Sequence, residues 1–315
     1  MKKKNKSALI IGANIGKKIH YKILKKFYKK VTIVGKTKGY NYKEILSNFS
    51  FDHITVCTTY KVQEDFIKFF LTNKIKVRTI LFEKPMTNNI ILLNKLKKYC
   101  LKKKINFRIN YTFNELMVLK KIINIFNKSN SRLVYRFNFD HPYYKNKIIM
   151  WKNISSEGGG IINYYLSHIL FYFENFNISK KNIETKIRIK NKKLIKIHFI
   201  FNKKLELICN PSFNKKLQEI YLVNKLKSII IKNESNEWFG RFKVQTITNK
   251  KEKREFVKKE TIIKLTNKNY QKILNKKFND AEFVDYFKKV YNCCRNINSI
   301  KKNINRNVFK RVQIL

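Results

Sequence analysis

The stretch from Val77 to Met86 reads VRTILFEKPM. An apolar run with strand character stops at a Glu-Lys pair. Pro85 follows, one of only three prolines in the chain. Proline disfavours helical backbone in the residue before it, so Lys84 is held at a strand end and not carried into a helix. The chain has 315 residues, of which 71 are Lys or Arg. What distinguishes Lys84 is its address, not its charge.

The surrounding sequence alternates between strand-like and helix-like segments. SALIIGA is a short apolar run containing Gly12. KKIHYKILKKFYKK has helical spacing, with Ile19, Ile23 and Phe27 on one face. VTIVG and DHITVCTT are strand-like, VQEDFIKFFLTNK is helical, and VRTILFEKP is a strand. NIILLNKLKKYCLKKK is helical again and INFRINY a strand. Such alternation with short connections predicts a parallel sheet covered by helices on both faces. Ligands of these sheets bind beyond the carboxyl ends of the strands. Gly12, Gly35, Thr58, Lys84 and Asn110 all fall at or near those ends.

From about residue 113 the pattern changes. NELMVLKKIINIFNK is helical and SRLVYRFNF is β-rich; IINYYLSHILFYFENF is helical. Then come IETKIRIK, LIKIHFIF, LELICNP, QEIYLVN, SIIIKN and WFGRFKVQTIT, strands with no long helix between them. Consecutive strands predict an antiparallel sheet. DAEFVDYFKKVYNCC near the end is an amphipathic helix. The expected fold class is α/β: an N-terminal Rossmann-type parallel sheet over residues 1–112. An α+β domain with a large, mainly antiparallel open sheet follows over 113–315, expected to bind substrate and to carry oligomer contacts.

The formal net charge is +51, against 20 Asp and Glu. Such an excess draws a protein to nucleic acid or to anionic surfaces. Here the lysines are scattered along the whole chain, and Lys, Asn and Ile are abundant together while Gly (8) and Pro (3) are scarce. AT-rich coding explains that pattern better than a dedicated polyanion site. Nucleic-acid attraction is then nonspecific and salt-sensitive. The cysteines Cys57, Cys100, Cys209, Cys293 and Cys294 show no metal-ligand spacing. Their odd number suits reduced thiols and a cytoplasmic setting. The opening MKKKNKSALII resembles a signal peptide, but its apolar run is short and lysines follow it, so a first strand is the better reading. No stretch approaches the roughly 18 apolar residues of a membrane span.

Two loops bear on a dinucleotide. The first turn, Gly12-Ala13-Asn14-Ile15-Gly16, is a damaged form of G-x-G-x-x-G, in which glycines make a tight turn and let backbone N–H groups approach a diphosphate. With Gly12 first, Asn14 and Lys17 replace the other two glycines. With Gly16 last, Ile11 and Ala13 do. The second strand ends in Gly35-Lys36-Thr37, where an NAD site would place an acid for the ribose 2′-OH. Lys36 and Thr37 suit a 2′-phosphate instead, which favours NADP over NAD. One more solvated lysine is the plain alternative.

Four stretches together resemble the Gfo/Idh/MocA family, relatives of glucose–fructose oxidoreductase and inositol dehydrogenase. DHITVCTT, from Asp52, stands where the family has a strand of D-x-V-x-I-x-T-P type, with Thr59 in place of the proline. Glu83-Lys84-Pro85 matches its E-K-P. Trp151-Lys152 and Gly158-Gly159-Gly160 match its W-R and G-G-G. His168 matches the His of its D-x-x-x-H, but Tyr164 stands where the Asp would be. The resemblance runs from residue 8 to about 175. It implies hydride exchange between a nicotinamide cofactor and a small polyhydroxylated or carbonyl substrate, a sugar or sugar nucleotide among the candidates.

By resemblance Lys84 and His168 handle the proton of the substrate alcohol. Positions four apart share a helix face, which turns Tyr164 to the same side as His168. Tyr164 could supply a hydroxyl but not, near neutral pH, an anion to orient the imidazole. The cofactor is expected over Gly12 to Gly16, Lys36, Thr37, Thr58, Thr59, Glu83, Lys84 and Asn110. The substrate is expected at Lys84, Tyr144, Trp151, Lys152, Tyr164 and His168, with no metal. His20, His53, His141 and His198 read as structural or solvated. A homo-oligomer joined through the C-terminal sheet is expected. Two rival readings remain: a catalytically impaired cofactor-binding scaffold or sensor of the same fold, and a basic nucleic-acid-associated protein.

Overall fold

Five short runs pair as a parallel sheet: β1 (Ser7–Ile11), β2 (Lys30–Val34), β3 (His53–Val56), β4 (Thr79–Phe82) and β5 (Asn106–Ile109), in the order β2-β1-β3-β4-β5. The computed structural model describes residues 6–35, 41–84, 86–87, 89–138, 167–177, 184–190, 193–210, 217–233, 241–248, 251–257 and 259–275. β3 and β4 are buried along their whole length, as expected of parallel strands covered on both faces.

Each face is covered by what its residues can pack. α3 (Tyr60–Thr72) and α4 (Ile90–Lys102) lie against one another. Phe66 of α3 stacks on Phe70 at 5.7 Å and meets Phe82 of β4 edge-on at 5.8 Å. Asn89 caps α4, its Oδ1 accepting the Leu92 N–H at 3.0 Å, the role that makes Asn a favoured N-cap. α2 (Tyr42–Asn48) joins this layer through Tyr42 against Phe66 and Phe69.

A different set covers the other face. A π-helical turn, Gly16–Tyr21, runs into a short α-segment, α1 (Lys22–Leu24). Its Ile23 and Leu24 pack with Tyr28 on Ala8, Ile10 and Leu81. The same cluster takes in Tyr270 and Ile273, from a helix that follows the entire second sheet in sequence. The first unit is therefore discontinuous. Among the described residues it comprises the chain through Glu115, then Ser167 and His168, then 261–275.

The second unit begins at Leu116. A 3-10 turn, Thr112–Glu115, precedes it, and α5 (Met117–Lys128) opens it. Its sheet contains β6 (Arg132–Asn138), β7 (Glu184–Lys190), β8 (Lys193–Asn202), β9 (Leu205–Asn210), β10 (Leu217–Val223), β11 (Lys227–Asn233), β12 (Phe242–Thr248) and β13 (Lys251–Val257). Among the described residues these eight lie in the order β13-β12-β11-β10-β6-β9-β8-β7. Only β6 and β9 pair in parallel; the other neighbours are antiparallel.

One face of this sheet is apolar by alternation. Leu133, Tyr135 and Phe137 are buried, while Arg132 and Arg136, which alternate with them, are exposed. α6 (Ser167–Phe173) brings Tyr172 and Phe173 to the Tyr135 ring at 6.2 and 6.0 Å. Tyr172 Oη donates to Leu119 O of α5 at 3.1 Å.

The α/β sheet followed by a large, mainly antiparallel one is the fold class expected from the sequence. The helix that completes the first unit, α7 (Ile262–Asn275), and the strand β13 are not among the segments read there. The helix expected over 280–294 lies outside the described residues. Among the described residues no helix is long and apolar enough to cross a membrane.

Gly12 closes β1 with φ +116°, and a Cβ there would stand 2.3 Å from the carbonyl oxygen of Cys57. Backbone strain of this kind costs about 1–3 kcal/mol. Gly12→Ala is expected to lower stability by at least that amount, read as a fall in the urea midpoint. An unchanged midpoint would contradict the placement of this turn.

Candidate active site at the strand ends

The strand order reverses direction between β1 and β3, the switch point at which open α/β sheets bind ligands. Three glycines meet there. A Cβ on Gly12 would strike Cys57 O, one on Gly16 would come within 2.8 Å of Ile10 Cγ2, and one on Gly35 within 2.6 Å of Ala13 Cβ. The close approach draws the ends of β1, β2 and β3 together. The Gly12 N–H donates to Val34 O at 2.7 Å, and the Cys57 N–H to Ile11 O at 2.8 Å. The helix starts at once: Lys17 N donates to Ala13 O at 2.9 Å. No side chain caps its N-terminus, and Asn14 and Ile15 face solvent. Open N–H groups at a switch point fit the diphosphate of a dinucleotide. Asn14 does not fill this space.

Beside this turn β4 ends at Phe82, and Glu83 and Lys84 follow. The loop after β3, Thr58-Thr59, leads into α3 and is held by Gln63. The Gln63 amide donates to Thr58 O and to Glu83 O, both at 3.1 Å. Glu83 draws donors from three directions. His20 Nε2 lies 2.9 Å from its Oε1, and Asn110 Nδ2 donates to the same oxygen at 2.6 Å. The Lys84 N–H donates to Oε2 at 3.3 Å.

Behind Glu83 the network continues into α7. His20 Nδ1 lies 2.7 Å from Tyr270 Oη, and Asn269 Nδ2 donates to Asn110 Oδ1 at 2.8 Å. Arg108 Nε donates to Asn269 Oδ1 at 2.8 Å, and the same guanidinium pairs with Glu115 at 3.0 Å. Arg108 and Glu115 are essentially buried, so each charge depends on the other. Lys272 adds a second cation to Glu115 at 2.5 Å.

His168 lies on α6 within the first unit. Its ring stacks on Phe113 at 4.7 Å and meets Tyr111 edge-on at 5.6 Å. Nδ1 is buried and finds no hydrogen-bond partner among the described residues. Burial, then the charge of Lys84, hold the imidazole well below its ordinary range. The pair is therefore a cation beside a neutral imidazole, a constellation that can pass a proton to or from a ligand oxygen.

Of the residues singled out from the sequence, Gly12, Ala13, Asn14, Ile15, Gly16, Thr58, Thr59, Glu83, Lys84 and Asn110 all lie at the carboxyl ends of β1, β3, β4 and β5. His168 is near enough to feel the charge of Lys84. Lys36, Thr37, Tyr144, Trp151, Lys152 and Tyr164 lie outside the described residues. His20, expected to be structural or solvated, is fully buried and touches Glu83. Tyr270 and Asn269 belong to none of the motifs legible in the sequence. Among the described residues no group of three or more His, Cys, Asp or Glu side chains could hold a metal ion.

No protein-family model and no curated protein matches the sequence. Solved structures do match it. A Gfo/Idh/MocA family oxidoreductase from Vibrio cholerae superposes with a TM-score of 0.62 at 10% identity, over 88% of this chain and 89% of that one. Biliverdin reductase from Synechocystis, solved with biliverdin and NADP+, gives 0.69 at 13% identity, over 93% and 99%. A 3-ketoreductase from Actinomadura kijaniata, solved with NADP and TDP-benzene, gives 0.68 at 10% identity, over 91% and 95%. The resemblance carried by FEKP and the glycine run thus holds at the level of the fold, which this chain shares with a Gfo/Idh/MocA oxidoreductase over most of both lengths.

Acid should destabilise this unit through its buried histidines. His53, bonded to Thr79 and Thr55 at 2.7 Å each, is lowered from 6.5 to about 3, by burial first and then by His20. His168 is lowered too. The unfolded chain takes up these protons near pH 6.5 and the native one does not. Stability is therefore full above 6.5 and is lost as pH falls towards the native values, by up to about 1.4 kcal/mol per pH unit and proton. Urea midpoints between pH 7 and 4 should show it, and His53→Gln should flatten the slope by about one proton. A slope that His53→Gln leaves unchanged contradicts the assignment.

Proposed function

We propose that the chain is a nicotinamide-dependent oxidoreductase, with NADP favoured over NAD, acting on a small polyhydroxylated or carbonyl compound such as a sugar or sugar nucleotide. The observation that carries this reading is the placement of Lys84. It stands at the end of β4, next to the β1/β3 switch point, and its charge bears on a buried neutral imidazole. Fold neighbours solved with NADP, one a 3-ketoreductase, support it.

In this reading the open helix N-terminus after Gly12 holds the diphosphate, and Lys36 and Thr37 receive a 2′-phosphate. Thr58, Thr59 and Asn110 border the nicotinamide. The bound cofactor supplies hydride exchange at carbon. Lys84 provides a positive field and a proton at the substrate oxygen when a carbonyl is reduced, and accepts that proton's equivalent in the reverse direction. The neutral imidazole of His168 exchanges the proton onwards. Tyr144, Trp151, Lys152 and Tyr164 complete the substrate side. The enzyme works in the cytoplasm as a homo-oligomer joined through its large sheet, and its excess charge contributes only nonspecific attraction to nucleic acid.

A second reading rests on Tyr164, which stands in place of an acid. It keeps cofactor binding and gives up turnover.

Titration with NADPH, followed by nicotinamide fluorescence, separates these readings. Saturable binding is expected, with turnover on a panel of sugars and keto-sugars. Lys84→Met should lower kcat by about 10²- to 10⁴-fold and leave binding and the circular dichroism spectrum intact. Binding without turnover on any compound favours the scaffold. No binding at micromolar NADPH overturns both, and wild-type turnover in Lys84→Met overturns the role of Lys84.

A further inference from the structure

Two chains of hydrogen bonds run through the buried layer between the first sheet and α7, and with Glu83 ionised and His20 neutral the chemistry of their members sets the direction of each proton. The first starts at Arg108. Its guanidinium can only donate, so Asn269 Oδ1, at 2.8 Å, is the acceptor. Asn269 must then present Nδ2 to Asn110 Oδ1, and Asn110 must present Nδ2 to Glu83 Oε1. Amide orientations are normally assigned from such networks, and here an obligate donor settles them. The chain ends on the Glu83 carboxylate.

The second chain is read back from that carboxylate. Ionised, Glu83 can only accept, and its other oxygen already receives the Lys84 N–H. His20 must therefore donate from Nε2. In a neutral imidazole Nδ1 is then an acceptor, so the Tyr270 hydroxyl donates to it at 2.7 Å. That hydroxyl oxygen accepts from Thr55 Oγ1 at 2.7 Å, and Thr55 Oγ1 accepts from His53 Nε2 at 2.7 Å. His53 Nδ1 is left to accept from Thr79 Oγ1 at 2.7 Å. The longer approach of Thr79 Oγ1 to Asp52 O, 3.4 Å, then holds no proton. Three strands, the π-helical turn and α7 contribute, and both chains point at one carboxylate.

We infer that His20 is a positioning residue, held in a single tautomer by Tyr270 and Glu83, which orients the Glu83 carboxylate and through it the backbone of Lys84. This inference rests on the proposed oxidoreductase reading for its consequence in turnover, but not for its geometry.

The full-length protein, labelled with 15N-histidine, tests it by long-range proton–nitrogen correlation spectra, with no substrate or cofactor. In the neutral imidazoles of His20 and His53 the proton should sit on Nε2. A proton on Nδ1 in either overturns the relay, whatever the variants do. Tyr270→Phe removes the link between the two histidines. His20 should keep Nε2–H under Glu83, while His53 should become a mixture of tautomers; an unchanged His53 overturns the coupling. His20→Asn is too short to span Glu83 and Tyr270. It should speed exchange of the Lys84 amide proton and lower kcat by about 10- to 100-fold, with NADPH affinity unchanged. His20→Gln, which still reaches Glu83 with a donor, should recover most of both. Unaltered Lys84 amide exchange, or a loss of NADPH affinity as large as the loss of kcat, overturns the positioning role. Absence of NADPH binding to the wild type would instead overturn the proposed function and leave the tautomer result standing.

Discussion

The carboxylate of Glu83 is the acceptor on which the first unit converges. Donors reach it from the helix after β1, from the end of β5 and from the backbone of the next residue. None of these elements is adjacent in sequence to more than one other. Both side-chain donors are themselves held by α7, through Tyr270 for His20 and through Asn269 and Thr266 for Asn110. A hydrogen bond to a charged acceptor contributes about 1.5–3 kcal/mol, and a buried donor left without its partner costs a similar amount. The layer therefore ties α7 to the strand ends of the first sheet. That is why a helix lying beyond the whole second sheet in sequence belongs to the first unit.

Charge is used sparingly inside a chain with so much of it. Only 20 acids stand against 71 Lys and Arg. Glu115 is buried against Arg108, with the half-exposed Lys272 as a second cation, and removal of Arg108 would cost about 3–5 kcal/mol. Glu206, on the second sheet, joins Arg132 and His198. Pairs such as Lys186 with Glu184, about 60% exposed, contribute little by comparison. The polar groups that cannot be paired with an acid are neutral: His53 and His168 are both held uncharged by burial. Among the described residues no lysine is buried, as a chain of scattered, composition-driven charge should show.

Much of this was legible in the sequence because apolar runs ended in recognisable stops. TILF before Glu83, and HITV before Cys57, marked the strand ends on which the candidate site stands. What escaped notice had no such contrast. β13, KEKREFV, is exposed along almost its whole length, so it has no apolar face to betray it. α7 buries Thr266 and Asn269 beside Leu265, Tyr270 and Ile273, and a polar buried face reads as a solvent face. α5 starts at Met117, later than its pattern suggested, because Thr112–Glu115 tightens into a 3-10 turn that places Glu115 under Arg108. His20 could not be assigned a role from sequence. Its partners lie 63 and 250 positions away.

The first turn shows how a motif can break while its geometry survives. Glycine is scarce, yet all three glycines of the described residues stand at this one junction. Their missing side chains make room for protein, not for a ligand: Cys57, Ile10 and Ala13 occupy the space. Gly12, Gly16 and Gly35 therefore answer to the packing of three strand ends, and that demand is independent of what binds above them. The position where the motif would carry its second glycine is Asn14, whose side chain points to solvent at the start of the helix. Nothing in the packing of the sheet resists a side chain there. The damaged match in the sequence and the intact turn in the fold are thus consistent. The glycines that persist are those the strands require, and the open N-terminus of the helix is a consequence of their closeness.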